Sequence, residues 1–204
     1  MKEYILIAGV NGTGKSSFRG VLEGQGVPLG HIVDPDLIAK QNSFNEIAAG
    51  KQAVREIQAC LKNGETVTQE TTLSSHQIRK TIIKAKQQGY RIIMYYIGLN
   101  SKYESIYRIA NRVKKGGHDI PPDDVIRRFE NRFDSLDRVV PLCDKVVFYD
   151  NDNGFVKVAE ITDGTFRYTN GYRPDWITEY YNHYEKNGAR SPINAVSFVV
   201  TVTN

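Results

Sequence analysis

Between Ile7 and Ser17 the chain reads IAGVNGTGKSS, and no other stretch constrains its fold as strongly. Gly9, Gly12 and Gly14 follow an apolar run and lead into Lys15 and Ser16. Glycine at this density weakens both helix and strand, so a bare backbone must be required here. Gly9-Val-Asn-Gly-Thr-Gly14-Lys15-Ser16 fits G-x-x-x-x-G-K-[ST], the Walker A or P-loop pattern, with a strand expected before it and a helix after it. Main-chain N–H groups in such a loop wrap a polyphosphate. The following helix adds its free N–H groups and the positive end of its dipole. Gly9, Asn11, Gly12, Thr13, Gly14, Lys15, Ser16 and Ser17 are therefore the expected nucleotide-binding residues. Lys15 is expected to reach the β- and γ-phosphates and Ser16 to offer its hydroxyl to Mg²⁺. ATP or GTP, with Mg²⁺, is the expected ligand.

The rest of the chain supplies the matching frame. Tyr4–Ala8, His31–Val33, Thr66–Gln69, Arg91–Ile97 and Lys145–Tyr149 read as strands. Helices are expected from Ser16 to Gly24 or Gly26, from a Ser43/Glu46 capping box to Lys62, over Ser75–Gln88 and Tyr103–Lys115, and from Pro121 to Leu136. Alternation of this kind implies an α/β P-loop fold, with a mainly parallel sheet and helices on both faces. Residues 1–153 are expected to form the core, with a two-helix lid at about 102–138. Residues 154–204 are expected to add a small β-rich extension packed on the same domain: a hairpin around Asp163-Gly164, a helix over Asp175–Glu185 and a strand over Ala195–Val202.

Composition narrows the class. The 204-residue chain has 40% apolar and 25% charged residues, which suits one ordinary globular domain. The net charge of +4 is mild and the Lys and Arg are dispersed, so nucleic acid is not an expected partner. No run approaches the ~18 apolar residues of a membrane span. Cys60 and Cys143 fall in no metal-binding spacing and read as core residues, which makes a reducing cytoplasm the expected compartment.

P-loops serve motors, switches and kinases alike. No apolar strand ends in Asp-Glu, as a motor would need, and no N-K-x-D base-reading motif is present. Leu73-Ser-Ser-His76 is a poor echo of a transporter ATPase signature. A small-molecule kinase needs less: an acid near the acceptor hydroxyl, a substrate platform and an arginine-bearing lid. In Asp34-Pro-Asp36, after the second strand, Asp34 suits a helix cap and Asp36 a catalytic acid. Glu70, ending the third strand, can hold substrate or water-bound Mg²⁺, while Thr71 and Thr72 can bind substrate or simply start a helix. On the helix over Tyr103–Lys115, Tyr103, Ile106, Tyr107, Ala110 and Val113 share one face and Arg108 and Arg112 the opposite one. On the next helix Val125, Phe129, Phe133 and Leu136 form the buried stripe, flanked by Arg128 and Arg132, with Arg127 pointing away. Arginine suits the charge of a transferring phosphoryl group. His118, in the hinge between these helices, is a weaker candidate for substrate contact.

These stretches, with "VDPDLIA", "ETTLSSHQIRKTIIKAKQQGYRIIMYYIGL" and "RVKKGGHDIPPDDVIRRF", resemble the zeta-toxin-like P-loop kinases, more closely a bacterial branch of predicted ATPases of that group. The resemblance runs from Ile5 to about Asn151. It implies ATP-dependent phosphorylation of a small molecule, UDP-N-acetylglucosamine in the characterised toxins, and an antitoxin-like protein as a possible partner. It places the family's lysine at Lys15, its catalytic aspartate at Asp36 and its substrate-holding glutamate at Glu70. A lid arginine falls at Arg108 or Arg112, with Arg112 preferred. Where the toxins carry a second lid arginine before a proline, this chain has His118 near Pro121, with Arg128 further on. No antitoxin-like helical segment is expected within this chain. The expected activity is thus a kinase acting on a small-molecule hydroxyl. The alternatives are a kinase for another sugar, polyol or nucleic-acid end, and a nucleotide-dependent regulatory protein with slow hydrolysis.

Overall fold

A computed structural model describes residues 1–41, 45–117 and 119–188. The elements follow in chain order as β1 (Glu3–Ala8), α1 (Lys15–Gly24), β2 (His31–Val33), α2 (Pro35–Gln41), α3 (Glu46–Asn63), β3 (Val67–Thr71), α4 (Gln77–Gln87) and β4 (Arg91–Gly98). Then come α5 (Lys102–Lys114), α6 (Pro122–Glu130), α7 (Arg132–Asp137), β5 (Lys145–Asp150), β6 (Val156–Thr162), β7 (Thr165–Tyr168) and α8 (Asp175–Gly188).

One seven-stranded sheet runs in the order β2-β3-β1-β4-β5-β6-β7. The first five strands are parallel and the last two antiparallel. β1 lies centrally, and its residues are buried on both faces because helices cover both. Ile5 and Ile7 meet Phe18 and Leu22 of α1 on one side. Tyr4, Leu6 and Ala8 join the larger core on the other, with Ile57 of α3, Ile82 of α4 and Trp176 and Tyr180 of α8. In the order β3-β1-β4, chain direction through the crossovers reverses at β1, so its carboxyl end opens a crevice of the kind where α/β sheets bind ligands.

The hairpin forms as the sequence predicts. Asp163 (φ 52°) and Gly164 (φ 69°) both lie in the left-handed region, as a two-residue turn of this type demands. It joins the central sheet directly: β6 pairs with β5 and carries the sheet onward. Trp176 is stacked so close to Gly98 that a Cβ there would lie 2.4 Å from the indole. The indole N–H donates to Asp150 Oδ1 at 2.8 Å, which locks the C-terminal region to the end of β5.

Two expectations need correction. The cap of α3 lies two residues after the predicted Ser43: Asn45 Oδ1 accepts from Ala48 N at 3.0 Å, and Asn caps as well as Ser does. The single helix expected from Pro121 to Leu136 divides at Asn131 into α6 and α7. The burial of α5 adds a detail that the shared face did not specify. Tyr103 and Tyr107 are exposed, whereas Ser105 and Ile109 are buried. Ile109 packs with Ile120 and Val125 in a small separate cluster that joins α5 to α6. The expected strand over Ala195–Val202 lies outside the described residues.

Candidate active site

The loop from Gly9 to Gly14 begins at the end of β1, and Gly14 precedes the first turn of α1 in the left-handed conformation (φ 90°). A Cβ on Gly14 would lie 2.7 Å from Asn151 Nδ2, and one on Gly12, also left-handed, 2.6 Å from Ser105 O. Backbone and neighbours therefore leave room for glycine alone. Asn151, just past β5, donates from its amide to Thr13 O at 2.8 Å and braces the loop from outside. Inside the loop, Thr13 Oγ1 donates to Val10 O.

Lys15 Nζ curls back onto the carbonyls of Gly9 (3.0 Å) and Val10 (3.2 Å). Burial pushes its pKa down, against the carboxylates of Asp36, Glu70 and Asp34, which pull it up. Ser16 Oγ donates to Glu70 Oε2 at 2.8 Å, and Arg19 Nη1 donates to Glu70 Oε1 at the same distance. Only 4% of Glu70 is exposed. Burial raises its pKa, as does the charge of Asp34, while the Ser16 hydrogen bond, Arg19 and Lys15 act the other way.

Asp34 is the cap of α2: its Oδ1 accepts from the N–H groups of Asp36 (3.0 Å) and Leu37 (3.2 Å). That cap presents the exposed Asp36 at the first turn of α2. Two cavities meet at this point. One, of about 320 Å³, lies over the loop and is walled by Gly12, Gly14, Ser16 and Ser17 with Arg108 and Arg112 of α5. The other, of about 260 Å³, lies between α2, α3, β3 and α4 and includes Thr71, Thr72 and Arg128. Asn11, Lys15, Asp36 and Glu70 line both.

The arginines of α5 and α6 differ in their contacts. Arg108 is pinned by Glu104 Oε1 (2.6 Å) and by Asn151 O (2.8 Å), so it joins α5 to the loop after β5. Arg112 lies against Gly117, where a Cβ would come 2.4 Å from its Cγ, so the Gly-Gly hinge makes room for the arginine stem. Arg128 Nη1 donates to Asn11 Oδ1 at 2.8 Å, on the side of the second cavity. Among the described residues its buried Nε has no partner. Thr71 Oγ1 accepts from Leu73 N, holding buried Leu73 in a left-handed turn (φ 61°), and Thr72 shares a hydrogen bond with Ser74. His118 lies outside the described residues.

The sequence reading missed Arg19, which also approaches Asp34 at 3.5 Å. The available signal was its place one helical turn after Lys15, on the face that looks toward the acids. Asn151 carried no signal, because its role depends on where β5 ends.

The residues suit Mg²⁺. The Ser16 hydroxyl and Glu70 carboxylate are hard oxygen donors side by side, and Mg²⁺ is commonly held by one or two such groups together with phosphate oxygens. Among the described residues no cluster of three acidic, His or Cys side chains forms a cage that would bind a metal without them.

Known proteins resemble this chain in sequence and in fold. The model of the Zeta toxin family matches residues 38–159. A protein of Haemophilus influenzae, described as uncharacterized, is 35% identical over 130 residues, covering 61% of this chain and 91% of that protein. Among solved structures, one from the PezAT chromosomal toxin-antitoxin system of Streptococcus pneumoniae superposes with a TM-score of 0.62 at 16% identity, over 93% of this chain and 87% of its own. The AvrRxo1-ORF1:-ORF2 complex with ATP gives 0.61 at 16% identity, over 90% of this chain but 63% of that one. A putative kinase from Chloroflexus aurantiacus gives 0.55 at 16% identity, over 73% and 88%. No helix among the described residues is long and apolar enough to cross a membrane.

Proposed function

The chain belongs to the zeta toxin family, and on that premise we propose that it is an ATP-dependent kinase that phosphorylates a hydroxyl of a small molecule. The observation that carries this reading is the junction of two cavities at Asp36, Lys15, Asn11 and Glu70: one sized and charged for phosphates, the other for an acceptor. A switch protein that only hydrolyses nucleotide has no need of the second compartment.

The roles follow from position. Loop N–H groups and Lys15 hold the β- and γ-phosphates, with Lys15 exchanging its carbonyl partners for phosphate oxygens. The acceptor hydroxyl enters from the second cavity. Its oxygen bonds to the γ-phosphorus, the bond from that phosphorus to the bridging oxygen of ADP breaks, and the hydroxyl proton passes to Asp36. Arg112 and Arg108 face the phosphate cavity and offset the charge spreading over the transferring group. Arg128 faces the acceptor, as do Thr71 and Thr72. Ser16 and Glu70 would hold Mg²⁺, which, when bound, neutralises phosphate charge.

UDP-N-acetylglucosamine is the first acceptor to try, since the family resemblance points to it. Incubation with ATP and this sugar nucleotide is expected to yield ADP and a phosphorylated sugar in equal amounts. ADP formed without a phosphorylated product would favour the hydrolase reading instead. An antitoxin-like protein is the proposed macromolecular partner, supported by the toxin-antitoxin system to which the pneumococcal structure belongs.

A further inference from the structure

Asp150 is the last residue of β5, and it is buried. Three neutral groups donate to its carboxylate. The Trp176 indole N–H reaches Oδ1 at 2.8 Å, while the Tyr172 hydroxyl (3.1 Å) and the Asp152 main-chain N–H (3.2 Å) reach Oδ2. Taking a carboxylate out of water is costly, and removing any one donor leaves buried charge without its partner. The bond from Asp152 N curls the chain into an Asx turn over Asp150–Asp152. Trp176 N donates to Asn100 Oδ1 at 3.0 Å, and Asn100 Nδ2 donates to Asp152 Oδ2 at 2.7 Å, so the ring of hydrogen bonds returns to the turn. Tyr172 and Trp176 bring the region after β7 into this ring.

The same turn reaches the residues around the phosphates. Asn151 Nδ2 donates to Thr13 O at 2.8 Å, inside the P-loop. The carbonyls of Asn151 and Asp152 accept from Arg108 Nη2 at 2.8 Å and 3.3 Å. Asn151 and Arg108 both line the phosphate cavity. A shift of the turn by about one ångström would break these contacts, and misplacement on that scale is felt at a reacting site. We propose that Tyr172 and Trp176 are positioning residues for the nucleotide: by fixing Asp150 they hold the turn that places the P-loop and Arg108. Neither is among the described residues that line the phosphate cavity, so they act through β5 and not by touching ATP. The proposal rests on the nucleotide site of the kinase reading above and makes the C-terminal region a determinant of ATP affinity.

The test measures ATP affinity, without any acceptor, for the wild type, Tyr172→Phe, Trp176→Phe and Asn151→Ala, and for each aromatic variant combined with Asn151→Ala. Urea unfolding is followed in parallel. Tyr172→Phe keeps the ring of an exposed side chain and loses only its hydroxyl, so folding is retained. It is expected to weaken ATP binding about threefold. Trp176→Phe is expected to weaken it about tenfold, the order of one hydrogen bond to a charged group. Once Asn151→Ala has cut the link to Thr13, each aromatic substitution is expected to cost clearly less, as residues acting through one another do. A purely structural role would lower stability and leave ATP affinity where it was. If Trp176→Phe fails to fold, Tyr172→Phe decides alone. Wild-type ATP affinity in Tyr172→Phe, or losses that multiply in full in the combined variants, would overturn the proposal while leaving the kinase reading intact. A wild-type protein that does not bind ATP would contradict both.

Discussion

At the scale of single residues, the site turns on where charge is allowed. Glu70 is almost fully enclosed, yet it stays close to Ser16 and Arg19 rather than to solvent. Its raised pKa has two consequences of opposite sign. A carboxyl with a raised folded pKa binds its proton more tightly in the folded state, so its contribution to stability is greatest at low pH. That contribution falls as pH rises from the ordinary value of 4.5 through the folded value. On the proposed role of Glu70, activity should move the other way, since the ionised form is the one that would help hold Mg²⁺. The acid limb of kcat/KM is thus expected above pH 4.5, and Glu70→Gln should abolish it together with most activity. A limb unchanged in Glu70→Gln would assign it to another group. Arg19→Ala leaves that carboxylate without its cation and is expected to cost about 3 kcal/mol at neutral pH, measured by urea unfolding. It should also shift the limb to still higher pH. Cys60 is buried, and burial pushes the Cys143 thiol up to about 12. Neither should react with iodoacetamide until the protein unfolds.

At the scale of elements, legibility depended on whether the signal was local. The P-loop, β2, the Asp34 cap and the Asp163-Gly164 turn could be read directly, because each is fixed by chemistry within a few residues. Helix faces were harder. In α5 the tyrosines look like the obvious core, but they are exposed at 71% and 63%, while the small Ser105 is buried where the backbone of α5 meets Gly12. Close approach of two main chains selects a small residue, and hydrophobic patterning has no means to register that. Asn131 divided α6 from α7 without a proline or glycine to announce it. The contact between Gly98 and Trp176 was equally invisible, because it joins residues far apart in the chain. It gives a sharp prediction: Gly98→Ala forces the indole aside and should destabilise by about 2 kcal/mol, a typical overpacking cost. A melting temperature equal to the wild type would show that Trp176 can shift freely. Asn151→Ala should weaken ATP binding with little loss of stability, because it removes a brace on Thr13 from outside the core.

At the scale of the whole molecule, seven strands form one surface that orients everything the chemistry needs. The parallel strands β2, β3, β1 and β4 bring Asp36, Glu70, the P-loop and, through α5, the arginines to one edge. The antiparallel pair β6 and β7 extends the other side, and the hydrogen bond of Trp176 to Asp150 ties α8 to the end of β5. The hairpin itself could be read, but not its partner strand, because turn chemistry marks a hairpin without saying what it pairs with. The two cavities were the least legible feature, since they arise where helices and strands distant in the chain fail to fill space. The claim that matters most is that Asp36 stands between them and takes the acceptor's proton. Single-turnover phosphoryl transfer, measured alongside ATP affinity in wild type and Asp36→Asn, tests it most directly. Transfer is expected to slow by about 10²- to 10⁴-fold with ATP affinity unchanged; equal transfer rates in the two proteins would contradict the account.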